Sequence, residues 1–63
     1  MKKEFYPAIG QKYYYIDSDV DILYDFWAND DIDIARLKFG NVFNAHSNAA
    51  KMRNKVKRLL LGL

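Results

Sequence analysis

The sequence predicts a small α+β domain: a short antiparallel β-sheet (β-β-β) packed on one C-terminal amphipathic helix. Three observations predict it. Tyr13-Tyr14-Tyr15-Ile16 and Val20–Trp27 are strand-prone, aromatic and β-branched runs. The polar triplet Asp17-Ser18-Asp19 between them is turn chemistry, because short polar side chains bond the local backbone. After Ser47, apolar residues recur at helical spacing with bases on their flanks. A chain of 63 residues has room for one domain.

Residues 1–11 read as an extended lead-in punctuated by Pro7 and Gly10. The two strand runs then form a hairpin. Alternation along the second places Val20, Ile22, Tyr24 and Phe26 on one face and Asp21, Leu23, Asp25 and Trp27 on the other. Residues 29–39 fit two readings. Asn29 followed by Asp30, Asp31 and Asp33, with Gly40 as a stop, suits a short helix. Asp33–Phe39 also alternates, and a third strand ending near Phe39 is favoured because a lone hairpin is marginal in water. Gly40-Asn41 is a turn that returns Val42 and Phe43 to the core. Ser47 then suits the N-cap of a helix from about Asn48 to Leu61. Its stripe is Ala49, Met52, Val56, Leu59, Leu60 and Leu63, flanked by Lys51, Lys55 and Arg58 on one side and Arg53 and Lys57 on the other. Leu61 falls opposite the stripe.

Composition restricts the chemistry. There is no cysteine, so neither a disulfide nor a thiolate metal site can staple the fold. The ten aromatic residues are its means of building a core. No apolar run approaches the roughly 18 residues needed to cross a bilayer, and no signal peptide is visible, so a cytoplasmic protein without membrane contact is expected. The net charge of +2 conceals segregation: residues 17–33 hold seven aspartates and no base, and residues 34–63 hold seven bases and no acid.

Each candidate site has an ordinary counterpart. Asp17, Asp19 and Asp21 match the opening of a calcium loop, but Ile22 stands where its glycine belongs and Ala28 where its bidentate glutamate belongs. An acidic hairpin turn is the better reading, and no metal or other cofactor is expected. His46 lacks a cysteine, or a serine in a nucleophile context, to activate. A catalytic role is therefore not expected of any residue. Asp25 and Asp33 suit ordinary ion pairs with bases. The C-terminal helix offers Lys51, Lys55 and Arg58 to nucleic acid, although the aspartate block would repel phosphate.

The aromatic surplus is more informative. If Ile22, Tyr24 and Phe26 meet the helix, then Leu23 and Trp27 lie on the opposite face with part of the tyrosine run. Either the lead-in with Phe5 and Tyr6 covers that face, or it is a docking surface. Under the second reading Tyr13, Tyr15, Leu23 and Trp27 are the anchors, with Asp25 setting charge complementarity. A homodimer through the same face is compatible with it.

Pro7, Gly10, Tyr13-Tyr14-Tyr15-Ile16, Trp27, Asn29-Asp30, Asp33, Arg36 and Gly40-Asn41-Val42-Phe43, followed by Ala49 or Ala50, form a spaced pattern over residues 7–50. The pattern resembles that of short uncharacterised bacteriophage and prophage proteins. It departs at the last helix, where Ser47-Asn48-Ala49-Ala50 replaces the Thr-x-Glu-Glu-Ala run common in that group. The resemblance implies a phage context, with no catalytic motif. Such proteins commonly bind and redirect a host factor, so a host protein is the expected partner, within the host cytoplasm. Nucleic acid held by the basic helix is the alternative.

Overall fold

The structure is a computed structural model that describes residues 5–62. Its elements run β1 (Lys12–Ile16), β2 (Ile22–Phe26), α1 (Asp31–Lys38) and α2 (His46–Leu61). The α+β class and the hairpin are as expected. The strands pair antiparallel, with Tyr13 opposite Asp25, Tyr14 opposite Tyr24 and Tyr15 opposite Leu23. At the turn, the Asp17 carboxylate accepts the N–H groups of Asp19 and Asp21. Val20 is forced to φ 62°, a left-handed conformation that costs a β-branched residue about 1–2 kcal/mol. Lead-in residues extend the ladder: Gly10 N–H donates to the Trp27 carbonyl and Trp27 N–H to that of Gln11.

The favoured third strand is instead helix α1. Asp30 caps it by accepting the Asp33 N–H, acids occupy its first turn, and Arg36 and Lys38 occupy its last. Asn29 at φ 58° breaks the chain away from β2 before the helix begins. The support a third strand would have given β1 comes from elsewhere. Tyr14 exchanges both backbone hydrogen bonds with Phe43, and the Asn41 side-chain amide donates to the Ile16 carbonyl while accepting the Ile16 N–H. One bridge and one amide do the work of a strand.

The last helix begins earlier than Asn48. Ala45 stands at its N-cap position with no side-chain hydrogen bond, so Ser47 lies inside the first turn. Its expected stripe is only partly used. Ala49 is buried and Val56 half-buried, whereas Leu59, Leu60 and Leu61 are exposed, and Arg53, expected on a flank, is half-buried. Leu63 lies outside the described residues. α2 lies against both strands, and its first residue, His46, meets the Tyr14 ring edge-on at 5.8 Å. It therefore covers the Tyr14–Ile16 end of one hairpin face.

The opposite face holds the core. Trp27 is 2% exposed and Tyr13 fully buried, with ring centroids 5.7 Å apart, and Tyr6 meets Trp27 edge-on at 5.4 Å. Pro7 is buried beside them in sequence. The lead-in thus covers the face it had been expected either to cover or to leave open. The molecule remains thin, at 37 × 28 × 18 Å. Its radius of gyration is 11.9 Å, against about 10.6 Å for a compact domain of this length.

Candidate functional site

Two groups of side chains stand out, on opposite faces of the hairpin. The first is a polar cluster on the covered face. Tyr13, from β1, donates its hydroxyl to Asp33 Oδ1 at 2.5 Å, and Arg36 Nη1 donates to that same hydroxyl at 2.6 Å. Arg36 Nη1 also reaches Asp25 Oδ2 at 3.1 Å, and its guanidinium lies 3.7 Å from the Tyr15 ring centroid. Asp33 Oδ2 accepts the Ala28 N–H at 2.7 Å. One turn of α1 separates Asp33 from Arg36, so the two reach Tyr13 together.

Burial opposes charge on Asp33, yet the hydrogen bonds from the Tyr13 hydroxyl and from the Ala28 and Asp30 backbone outweigh burial. Its carboxyl is held below the usual carboxylate range. Burial, then the bond to Asp33, pushes the Tyr13 phenol up to about 12. The cluster's hydrogen bonds and ion pair tie α1 to the hairpin. It is a clasp.

The second group lies on the other face. Lys12, Tyr14, Tyr24 and Phe26 alternate onto it from paired strand positions. Tyr24 is 58% and Phe26 54% exposed, and their rings meet edge-on at 6.0 Å. The Lys12 ammonium sits 4.3 Å from the Tyr24 ring centroid. This aromatic strip with one cation is open to solvent.

The expected anchors are therefore divided. Tyr13 and Trp27 are core residues, Tyr15 is half-buried under Arg36, and Leu23 and Asp25 are exposed, Asp25 as an ion-pair partner of Arg36. Tyr24 and Phe26, expected to meet the helix, are open to solvent, as are Tyr6 and Phe39 elsewhere on the surface. The reason is which elements fold onto which face: the lead-in and α1 both close on Trp27, and α2 stops short of Tyr24. Asp25 and Asp33 do find a base, but it is Arg36 of α1 and not one of α2. The signal for this was the Asp33–Arg36 spacing, which is meaningful only on a helix.

On α2, Lys51, Lys55 and Arg58 are all exposed, and no carboxylate pairs with them among the described residues. Lys51 and Lys55 border a shallow groove floored by Leu37, Val42, Phe43 and Met52. Asp17, Asp19 and Asp21 bring carboxylate oxygens within 4.8 Å of one another at the hairpin tip. One oxygen of Asp17 already accepts two backbone N–H groups there. None of the helices is long and apolar enough to cross a membrane.

Comparison with protein-family models, with curated proteins and with solved structures yields no match. Geometry and chemistry therefore carry the functional reading.

Proposed function

We propose that this is a non-catalytic binding protein of the phage accessory type, docking on a host protein through the Lys12–Tyr24–Phe26 strip. The observation that carries this reading is the position of those rings: large aromatic side chains left open by a chain that has few others to spare for its core. Tyrosine and phenylalanine rimmed by a cation are the composition of interface centres. The whole molecule agrees. Its accessible surface is 4983 Å², whereas a monomer of this mass exposes about 4200 Å². The excess is that of a thin molecule of 37 × 28 × 18 Å.

The test is affinity capture from host extract with the wild-type protein beside a Tyr24→Ser/Phe26→Ser variant. The reading expects a discrete host protein retained by the wild type and lost from the variant, with thermal stability preserved. Identical capture by both would sink it.

A second reading, nucleic-acid binding by α2, is kept alive by the carboxylate-free row Lys51, Lys55 and Arg58. It expects fluorescence anisotropy of labelled single-stranded and duplex oligonucleotides to report binding that weakens steeply with salt. Reversing the three charges to glutamate should abolish it. Salt-insensitive binding, or none, removes this reading.

A further inference from the structure

We infer that β2 is a self-pairing edge, and that two copies of this chain join β2 to β2 into a continuous four-stranded antiparallel sheet. The argument begins with which backbone groups are spoken for. In an antiparallel ladder, alternate residues direct their N–H and C=O toward the partner strand. Tyr14 spends both groups on Phe43, on the side of β1 away from β2. Tyr13 and Tyr15 therefore face β2, and their partners Asp25 and Leu23 face β1. The 17–21 and 11–27 pairs fall in the same phase, through Asp17 N–H to the Asp21 carbonyl and Trp27 N–H to the Gln11 carbonyl. It follows that Ile22, Tyr24 and Phe26 direct their backbone groups outward.

The two edges of the hairpin are treated differently. Along β1, Phe43 and the Asn41 amide occupy the outward groups of Tyr14 and Ile16. Along β2, the Phe26 N–H is taken by the neighbouring Asp25 carboxylate at 2.7 Å. The outward groups of Ile22 and Tyr24 meet no partner among the described residues. Natural proteins blunt such an edge with lysine, proline, a bulge or a covering loop, and β2 contains neither lysine nor proline. What it presents is an uncovered edge open at Ile22 and Tyr24, with the Phe26 N–H held by Asp25 until a second strand replaces it.

A second copy is the occupant that this edge fits best. The antiparallel register overlapping all five residues puts Tyr24 on the two-fold axis, opposite itself. Ile22 then faces Phe26 and Leu23 faces Asp25, so no like charges oppose one another along the strand. A register shifted by two residues either way, the next that keeps the outward groups in phase, shortens that overlap, and one of the two sets Asp25 against Asp25. The favoured register also brings the open Phe26 ring of one copy beside Ile22 of the other, at the end of the sheet where α2 lies. Four strands also overcome the marginality of two. The Lys12–Tyr24–Phe26 strips of the two copies would then meet as one doubled face. This goes beyond the binding function and fails or succeeds independently of it.

The test uses the full chain, which has no native cysteine. Sedimentation equilibrium of the wild type should give twice the monomer mass at high concentration and dissociate on dilution. Tyr24→Pro should be monomeric with an intact far-ultraviolet spectrum, because the N–H it removes points away from β1. Tyr24→Lys serves as a second variant should the proline disturb the strand. Tyr24→Cys should oxidise rapidly to a covalent dimer, since residues facing each other as a hydrogen-bonded pair place their Cα atoms about 5.5 Å apart, within disulfide reach. Phe26→Cys, opposite Ile22, should crosslink at least tenfold more slowly. A wild type that stays monomeric at every concentration overturns the proposal. So does a dimer that persists in both Tyr24→Pro and Tyr24→Lys, or equal crosslinking at positions 24 and 26.

Discussion

At the scale of single residues, the hydroxyl of Tyr13 is the most consequential atom in the fold. It is buried, it satisfies Asp33, and it receives Arg36. Tyr13→Phe leaves a buried carboxylate oxygen short of a donor, and should cost about 1–3 kcal/mol in urea denaturation. The same substitution changes the alkaline limb of stability. The phenol is raised from 10.0 to about 12 by folding. Its contribution is therefore full below pH 10 and is lost as the pH rises toward 12. The wild type should weaken across that window more steeply than Tyr13→Phe. Asp33 works in the opposite sense. Its carboxyl is lowered by folding, so its contribution is present above the ordinary carboxylate range and is lost as acid takes the pH down through the folded value. Asp33→Asn should start less stable at neutral pH and lose less on acidification.

Single residues also mark where the sequence could and could not be read. The burial of Trp27 was one of two outcomes left open, because alternation assigns residues to faces without saying which face the rest of the chain will cover. Deciding it required knowing that Tyr6 folds back onto the indole. Only the Asp33–Arg36 spacing hinted at the clasp; the reach of Arg36 to Tyr13 and Asp25 is a long-range contact that the local sequence does not mark. Of the expected anchors, Tyr13 and Trp27 are buried.

At the scale of elements, the hairpin was legible because its strands are aromatic and its turn is aspartate-rich. The segment after Trp27 was misread because Asp33–Phe39 satisfies both periodicities. Local capping by Asp30 and the left-handed Asn29 decided it in favour of helix. Two elements carry a local flaw that a substitution can expose. Val20 sits at φ 62°, so Val20→Gly should stabilise the protein by about 0.5–1.5 kcal/mol, seen as a higher urea midpoint with an unchanged slope. α2 lacks a side-chain cap at Ala45. Ala45→Asp should stabilise it by about 1 kcal/mol, with a matching rise in the thermal midpoint.

At the scale of the whole molecule, the account is one of two unequal faces. One is closed by the lead-in, α1 and the Tyr13–Asp33–Arg36 clasp; the other is covered by α2 at one end and left aromatic at the other. The segregated charge fits the same division of labour. The clasp takes up Asp25 and Asp33, while Lys51, Lys55, Lys57 and Arg58 of α2 remain exposed. The thinness of the molecule follows from so short a chain spending its apolar residues on both sides of a single hairpin.

The most direct test of this division compares Trp27→Ala with Phe26→Ala in equilibrium urea denaturation, since the two neighbours point to opposite faces. The account predicts that Trp27→Ala loses about 3–5 kcal/mol, enough to unfold so small a domain. It predicts that Phe26→Ala loses less than about 1 kcal/mol. A stable Trp27→Ala protein beside an unfolded Phe26→Ala protein would contradict it, placing the core on the aromatic strip and the working surface on the face described here as closed.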